Sequence, residues 1–269
     1  MPVCSIIPFY FGRCDKSLFG CYHEPHPAAK RASGVVIAQP VGHEYINSHR
    51  ALRQLAVLLA NVGFPVLRFD YYGCGDSMGE EDQATVSQWI EDTSTAISEL
   101  RKRGNLNTVC VIGLRLAATI AVLAASVQNE LAALVLWDAI IRGKDFLNEV
   151  RSLQNERMRC RRKPTKRVEA SNVTRDFLGF AMSQSLSQSL ETLEIPAFFR
   201  PAAKEVLVIN SYPQKTESES YEHAVQSGTN TEYKQVAAPK IWEGTPEGTL
   251  LVPSQILRLV VSWMLHKNL

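Results

Sequence analysis

Apolar positions along this chain follow two different rhythms. Near the start, Ile6 to Phe11 and Leu18 to Tyr22 alternate around the turn Gly12-Arg-Cys-Asp15, which predicts an antiparallel hairpin. After Gly34 the pattern changes. Val35 to Ala38, Pro65 to Phe69, Val109 to Ile112, Leu131 to Trp137 and Glu205 to Ile209 are unbroken apolar runs of strand length, as strands buried on both faces of a parallel sheet are. Helical stripes separate them. Leu52, Leu55, Ala56 and Leu59 recur at i, i+3, i+4 and i+7, and Val86, Ile90, Thr93, Ile97 and Leu100 do the same, with Gly104 as the stop. Arg115 to Val127 is apolar nearly all round and predicts a buried helix. Ile256, Leu259, Val260 and Trp263 predict a terminal amphipathic helix entered through Pro253. Strands alternating with helices give an α/β chain with a doubly wound, mostly parallel sheet. The stretch from Ile141 to about residue 203 breaks the rhythm and reads as a helix-rich insertion.

Composition adds little beyond this. At 269 residues, 45% hydrophobic and 21% charged, the chain can bury the core of one large domain. The apolar stretch Leu116 to Val127 is too short to span a bilayer, so stable membrane insertion is not expected. Met1 to Gly12 lacks the layout of a secretory leader, and the six cysteines show no C-x-x-C spacing. Reduced thiols and a cytoplasmic location are the expectation. Neither metal-ligand spacing nor a cofactor motif is present; the net charge of +2 argues against a nucleic-acid partner.

Four motifs carry a resemblance. Gln39-Pro-Val-Gly-His-Glu44 follows the first parallel strand. Phe69-Asp-Tyr-Tyr-Gly-Cys-Gly-Asp-Ser77 is a D-x-x-G-x-G-x-S turn. Gly113-Leu-Arg-Leu-Ala117 joins a strand to a helix, and Leu134-Val-Leu-Trp-Asp138 is a strand ending in an acid. Together they resemble the α/β-hydrolase superfamily, within it the serine-aminopeptidase-like group and the hydrolase-like proteins found beside exosortase systems. The resemblance implies an α/β-hydrolase core from 1–140 and 204–269, with 141–203 inserted as a helical cap. It places the oxyanion loop at Val41 and Gly42 and the nucleophile elbow, G-x-S-x-G, at Gly113 to Ala117.

The departures from that pattern concern the chemistry. Arg115 stands at the nucleophile position, and a guanidinium offers only donors and cannot attack a carbonyl. Asn210-Ser-Tyr-Pro213, after the penultimate strand, holds no carboxylate. Ile241-Trp-Glu-Gly-Thr-Pro-Glu-Gly248, before the last helix, holds no histidine. A degenerate triad is therefore expected, and ordinary Ser-His-Asp hydrolysis is not.

Two readings of Arg115 stay open. At a helix N-terminus it is a receptor for a carboxylate or phosphate, with Leu116 and the Val41–Gly42 loop around it. Alternatively it is a plug, ion-paired with Asp138. His43 and Glu44 are candidates for an acid–base pair, and His43 and Asp138 are the candidate catalytic groups. Cys74 reads as a small residue packed in a turn, with a replacement nucleophile as the sharper alternative. The run Arg157, Arg159, Arg161, Arg162, Lys163, Lys166, Arg167 carries seven positive charges and no negative one. It is a solvated face, or else a docking strip for an acyl carrier protein or a coenzyme A thioester. Three functions follow: a non-hydrolytic binder of an acyl or carboxylate-bearing ligand, which is the preferred reading; an ester, thioester or amide hydrolase or acyltransferase with relocated groups; and a pseudoenzyme acting through its surface.

Overall fold

Buried strands organise the molecule. The computed structural model describes residues 5–127, 131–160, 174–195, 203–212, 230–245 and 248–269. The main sheet has the order β1-β2-β4-β3-β5-β6-β9-β10. β1 (Ile6–Arg13) and β2 (Lys16–His23) form the expected hairpin, and β2 runs antiparallel to β4 (Val66–Phe69). From β4 onward, β3 (Ser33–Ala38), β5 (Thr108–Leu114), β6 (Leu131–Trp137), β9 (Ala203–Asn210) and β10 (Asn230–Gln235) are parallel.

Alternation along each strand sends side chains into two apolar layers. Val36, Leu67, Val111 and Leu134 pack with α2 (Val86–Gly104) and α3 (Leu116–Val127). Val35, Val66, Ile112 and Val135 pack with α1 (His43–Asn61) and the last helix, α6 (Ser254–His266). Fully burying each large side chain stabilises the fold by about 1.5–3 kcal/mol, so the two layers hold the strand ends where the loops meet. α2 ends at the expected Gly104, and the left-handed cap falls one residue later, on Asn105 at φ 51°.

The insertion carries a short hairpin beside its helices. α4 (Gly143–Cys160) and α5 (Gln184–Thr192) flank a two-stranded hairpin, β7 (Thr174–Phe177) with β8 (Phe180–Ser183). Its turn is Leu178-Gly179, both at positive φ, the mirror-image geometry that matches strand twist. The backbone N–H of Ala181 donates to Glu81 Oε2 at 2.7 Å, tying this hairpin to the loop before α2.

Candidate functional site

The elbow is built by close backbone approach. A Cβ on Gly113 would lie 2.5 Å from the Ala118 Cα and 2.7 Å from the Ala117 carbonyl oxygen, so only glycine lets α3 start directly against β5. At the tip, Arg115 takes φ 59°, a conformation that side chains rarely adopt. Its N–H donates to the Trp137 carbonyl at 3.0 Å, and its carbonyl accepts from Ala118 N–H at 3.0 Å. The strained turn is thus held from both sides.

The Arg115 side chain is fully buried. Its Nε donates to Glu44 Oε1 at 3.0 Å, one Nη donates to Glu149 on α4, and its guanidinium carbon lies 4.6 Å from the centre of the Trp242 ring. Nη1 has no hydrogen-bond partner. Burial opposes the charge, but Glu44 and Glu149 outweigh it and hold the guanidinium firmly protonated. The two carboxylates differ. Glu44 is 2% exposed, and burial pushes its pKa up to about 7 despite the arginine; Glu149 is 46% exposed.

Asp138 is not part of this cluster. It ends β6 at φ 43°, and its carboxylate accepts from the backbone N–H of Ser211 at 2.7 Å and from the Ser211 hydroxyl. Burial raises its pKa, and the Ser211 bonds partly offset that. The Arg115–Asp138 pair of the plug alternative does not form; Ser211, just after β9, holds the acid instead. Nor do His43 and Glu44 pair: Glu44 faces Arg115, its Oε2 is unpartnered, and His43 Nε2 is buried without a partner. Burial, with the charges of Arg157 and Arg115, lowers the His43 pKa to about 4.

Beside the elbow lies a cavity of about 60 Å³ between core and insertion. Val41, Gly42 and His43 line it from the loop entering α1. Cys74 and Trp89 line it from the core, and Phe146, Phe180 and Leu186 from the insertion. Burial pushes the Cys74 thiol up to about 12, which leaves it protonated beside a neutral imidazole. Leu116 packs in the core and, like Asp138 and Arg115, does not line this cavity.

Of the residues singled out from the sequence, Val41, Gly42 and His43 therefore share the cavity, while Arg115 and Glu44 share the buried pair behind it. Arg157 and Arg159 are exposed at the end of α4; Arg161, Arg162, Lys163, Lys166 and Arg167 lie outside the described residues. Glu149 and Trp242 were missed. The only sequence signal for Glu149 is an acid next to the buried Val150 on α4. Trp242 sits in the loop where the resemblance looks for a histidine. Among the described residues no group of three His, Cys, Asp or Glu could hold a metal ion, and no helix is long and apolar enough to cross a membrane.

A mostly parallel eight-stranded sheet, a strained β5–α3 elbow and elements laid over it define an α/β-hydrolase. The family model for serine aminopeptidase, S33, matches residues 33–192, and the chain belongs to that family. A comparison with curated proteins found no match. Solved structures agree on the fold. Esterase Est1E of Butyrivibrio proteoclasticus, with ferulic acid bound, is 16% identical with a TM-score of 0.69, over 96% of this chain and 98% of that one. An esterase of Pyrococcus furiosus is 16% identical with a TM-score of 0.65, over 98% and 91% of the two chains. A serine hydrolase without lid from Xanthomonas campestris is 13% identical with a TM-score of 0.56, over 98% and 93%.

Proposed function

We propose that this chain is a non-hydrolytic member of its family that binds a small acyl ligand bearing a carboxylate. The apolar part enters the cavity under the insertion, and the carboxylate takes the place of Glu149 on Arg115. The observation that carries this reading is the guanidinium at the elbow tip, closed over by one buried acid and one half-exposed acid. A side chain with five donors and no lone pair cannot form an acyl-enzyme. Glu44 stays as the permanent partner; Glu149 is exchangeable because its other face already meets water. The unpartnered Nη1 gives an incoming carboxylate a further donor. Exposed Arg157 and Arg159 at the end of α4 offer a docking point for the phosphates of a carrier protein or coenzyme A.

The alternative of a hydrolase with relocated groups draws on His43 and Cys74, which line one cavity. Their basicities speak against it: an imidazole with a pKa of about 4 is too weak a base to draw the proton from a thiol held at about 12.

The test is a titration of the purified protein with hexanoate and, separately, hexanol, followed by tryptophan fluorescence from Trp89 and Trp242. Hexanoate should bind and hexanol more weakly. Glu149→Gln should strengthen hexanoate binding about fivefold, since removing a half-exposed competing ion pair is worth about 1 kcal/mol. Equal binding of acid and alcohol, or no binding of either, would overturn the reading.

A further inference from the structure

A second cavity, of about 150 Å³, opens beside α1 and β4, and the proposed function makes no use of it. It shares no lining residue with the first cavity. Phe19, Cys21 and Phe69 form its apolar part, and the rest of its wall is polar. Arg68 comes from β4, Gln39 from the end of β3, Tyr45 from the first turns of α1, and Asp70 and Asp76 from the glycine-rich turn; exposed His49 is also part of its lining.

The polar groups here are unevenly satisfied. Arg68 is 8% exposed, and its Nε donates to His23 Nε2 at 3.2 Å. His23 is buried and held neutral, so it accepts that bond but contributes no countercharge. Asp70 acts on Arg68 only at longer range, and no carboxylate forms an ion pair with it among the described residues. A buried guanidinium in that state is costly unless an anion completes it.

The acids in the wall are otherwise engaged. Asp70 accepts from Gln39 Nε2 at 3.0 Å, from Asp76 N–H at 3.1 Å and from Tyr45. Asp76 is exposed at the turn, and Gln39 Oε1 is a buried acceptor with no donor. The site thus lacks an anion at Arg68 and a donor at Gln39 Oε1. A simple anion meets one of these needs and is repelled by Asp70 and Asp76; a simple cation is repelled by Arg68.

We propose that this cavity binds a small zwitterion of the α-amino-acid class, with its carboxylate on Arg68 and its ammonium group toward Asp76 and Gln39 Oε1. The site is independent of the elbow and of the ligand proposed for it.

The experiment is calorimetric titration of the full chain with L-alanine, and with acetate and methylammonium as its two half-molecules. L-alanine should bind, with each half-molecule at least about tenfold weaker. Asp76→Asn, at an exposed position that leaves the core untouched, should weaken L-alanine by about tenfold. Arg68→Gln should abolish binding, with a thermal melt to establish that the variant is folded. Glu149→Gln should leave L-alanine binding unchanged, which separates this site from the elbow. A folded wild type that takes up no L-alanine would show that the cavity holds water only. Acetate binding as well as L-alanine, or an Asp76→Asn variant that binds as the wild type does, would equally overturn the proposal.

Discussion

Replacing Arg115 with methionine leaves the two acids without their cation, and they respond differently. Glu149, 46% exposed, turns to solvent at little cost. Glu44, 2% exposed and with one oxygen already unpartnered, cannot. Breaking a buried pair from one side costs about 3–5 kcal/mol, because a charge is left stranded. Glu44 can escape by taking a proton. Its pKa already stands near 7, against an ordinary value of 4.5, and it rises further without the arginine. A carboxylate with a raised folded-state pKa binds more protons folded than unfolded, so stability falls as pH rises from 4.5 through the folded value. The penalty of Arg115→Met should therefore be nearly full at pH 8 and largely relieved at pH 5. For a domain of this size, each kcal/mol shifts the melting temperature by about 2–4 °C, giving a deficit of about 6–20 °C at pH 8. Circular-dichroism melts of wild type, Arg115→Met and Glu149→Gln at pH 5 and 8 measure this directly. Equal Arg115→Met deficits at the two pH values would refute the reasoning, as would a Glu149→Gln variant that loses as much.

Three further outcomes are expected. His23 is buried and held near pKa 4 by desolvation and by Arg68; the unfolded state takes up the proton first, so stability present above pH 6.5 is lost as pH falls to 4, by up to about 3 kcal/mol. Urea midpoints at pH 6.5 and 4.5 should converge in His23→Asn, and an unchanged difference would sink the idea. Gly113→Ala forces a methyl against the backbone of Ala117 and Ala118 and should cost about 1–3 kcal/mol in the same assay; a neutral result would mean the elbow is looser than described. Ser211→Ala strips Asp138 of one of its two donors and should destabilise by about 1–3 kcal/mol, whereas an Asp138 that faced Arg115 would hardly notice.

The parts of the fold legible in the sequence are those where burial alone dictates residue type. β6 ends where its apolar run ends, and β3, β4, β5 and β9 extend their runs by at most two residues or trim them by one. β10 was invisible because Asn-Thr-Glu-Tyr-Lys-Gln is an edge strand paired on one side, with little burial to demand apolar residues. The cap hairpin was hidden by its turn, since Leu178 takes a positive φ where asparagine or glycine would have announced it. At the site, local sequence placed Arg115 at the elbow but could not choose its partners. Glu44 lies 71 positions away and Glu149 lies 34 away, and only the packing of α1 and α4 brings them together. Asp138 was assigned to Arg115 because it ends the neighbouring strand; the competing donor, Ser211, is 73 positions distant.

The central proposal is that this protein performs no serine hydrolysis. Its most direct test is fluorophosphonate labelling of the folded protein, read by intact mass and peptide mapping, with an active serine hydrolase labelled in parallel. The expected result is an unmodified mass for this chain under conditions that label the control to completion. A stoichiometric adduct mapped to a serine would contradict it, and would show that hydrolysis persists in this fold through a nucleophile away from Arg115.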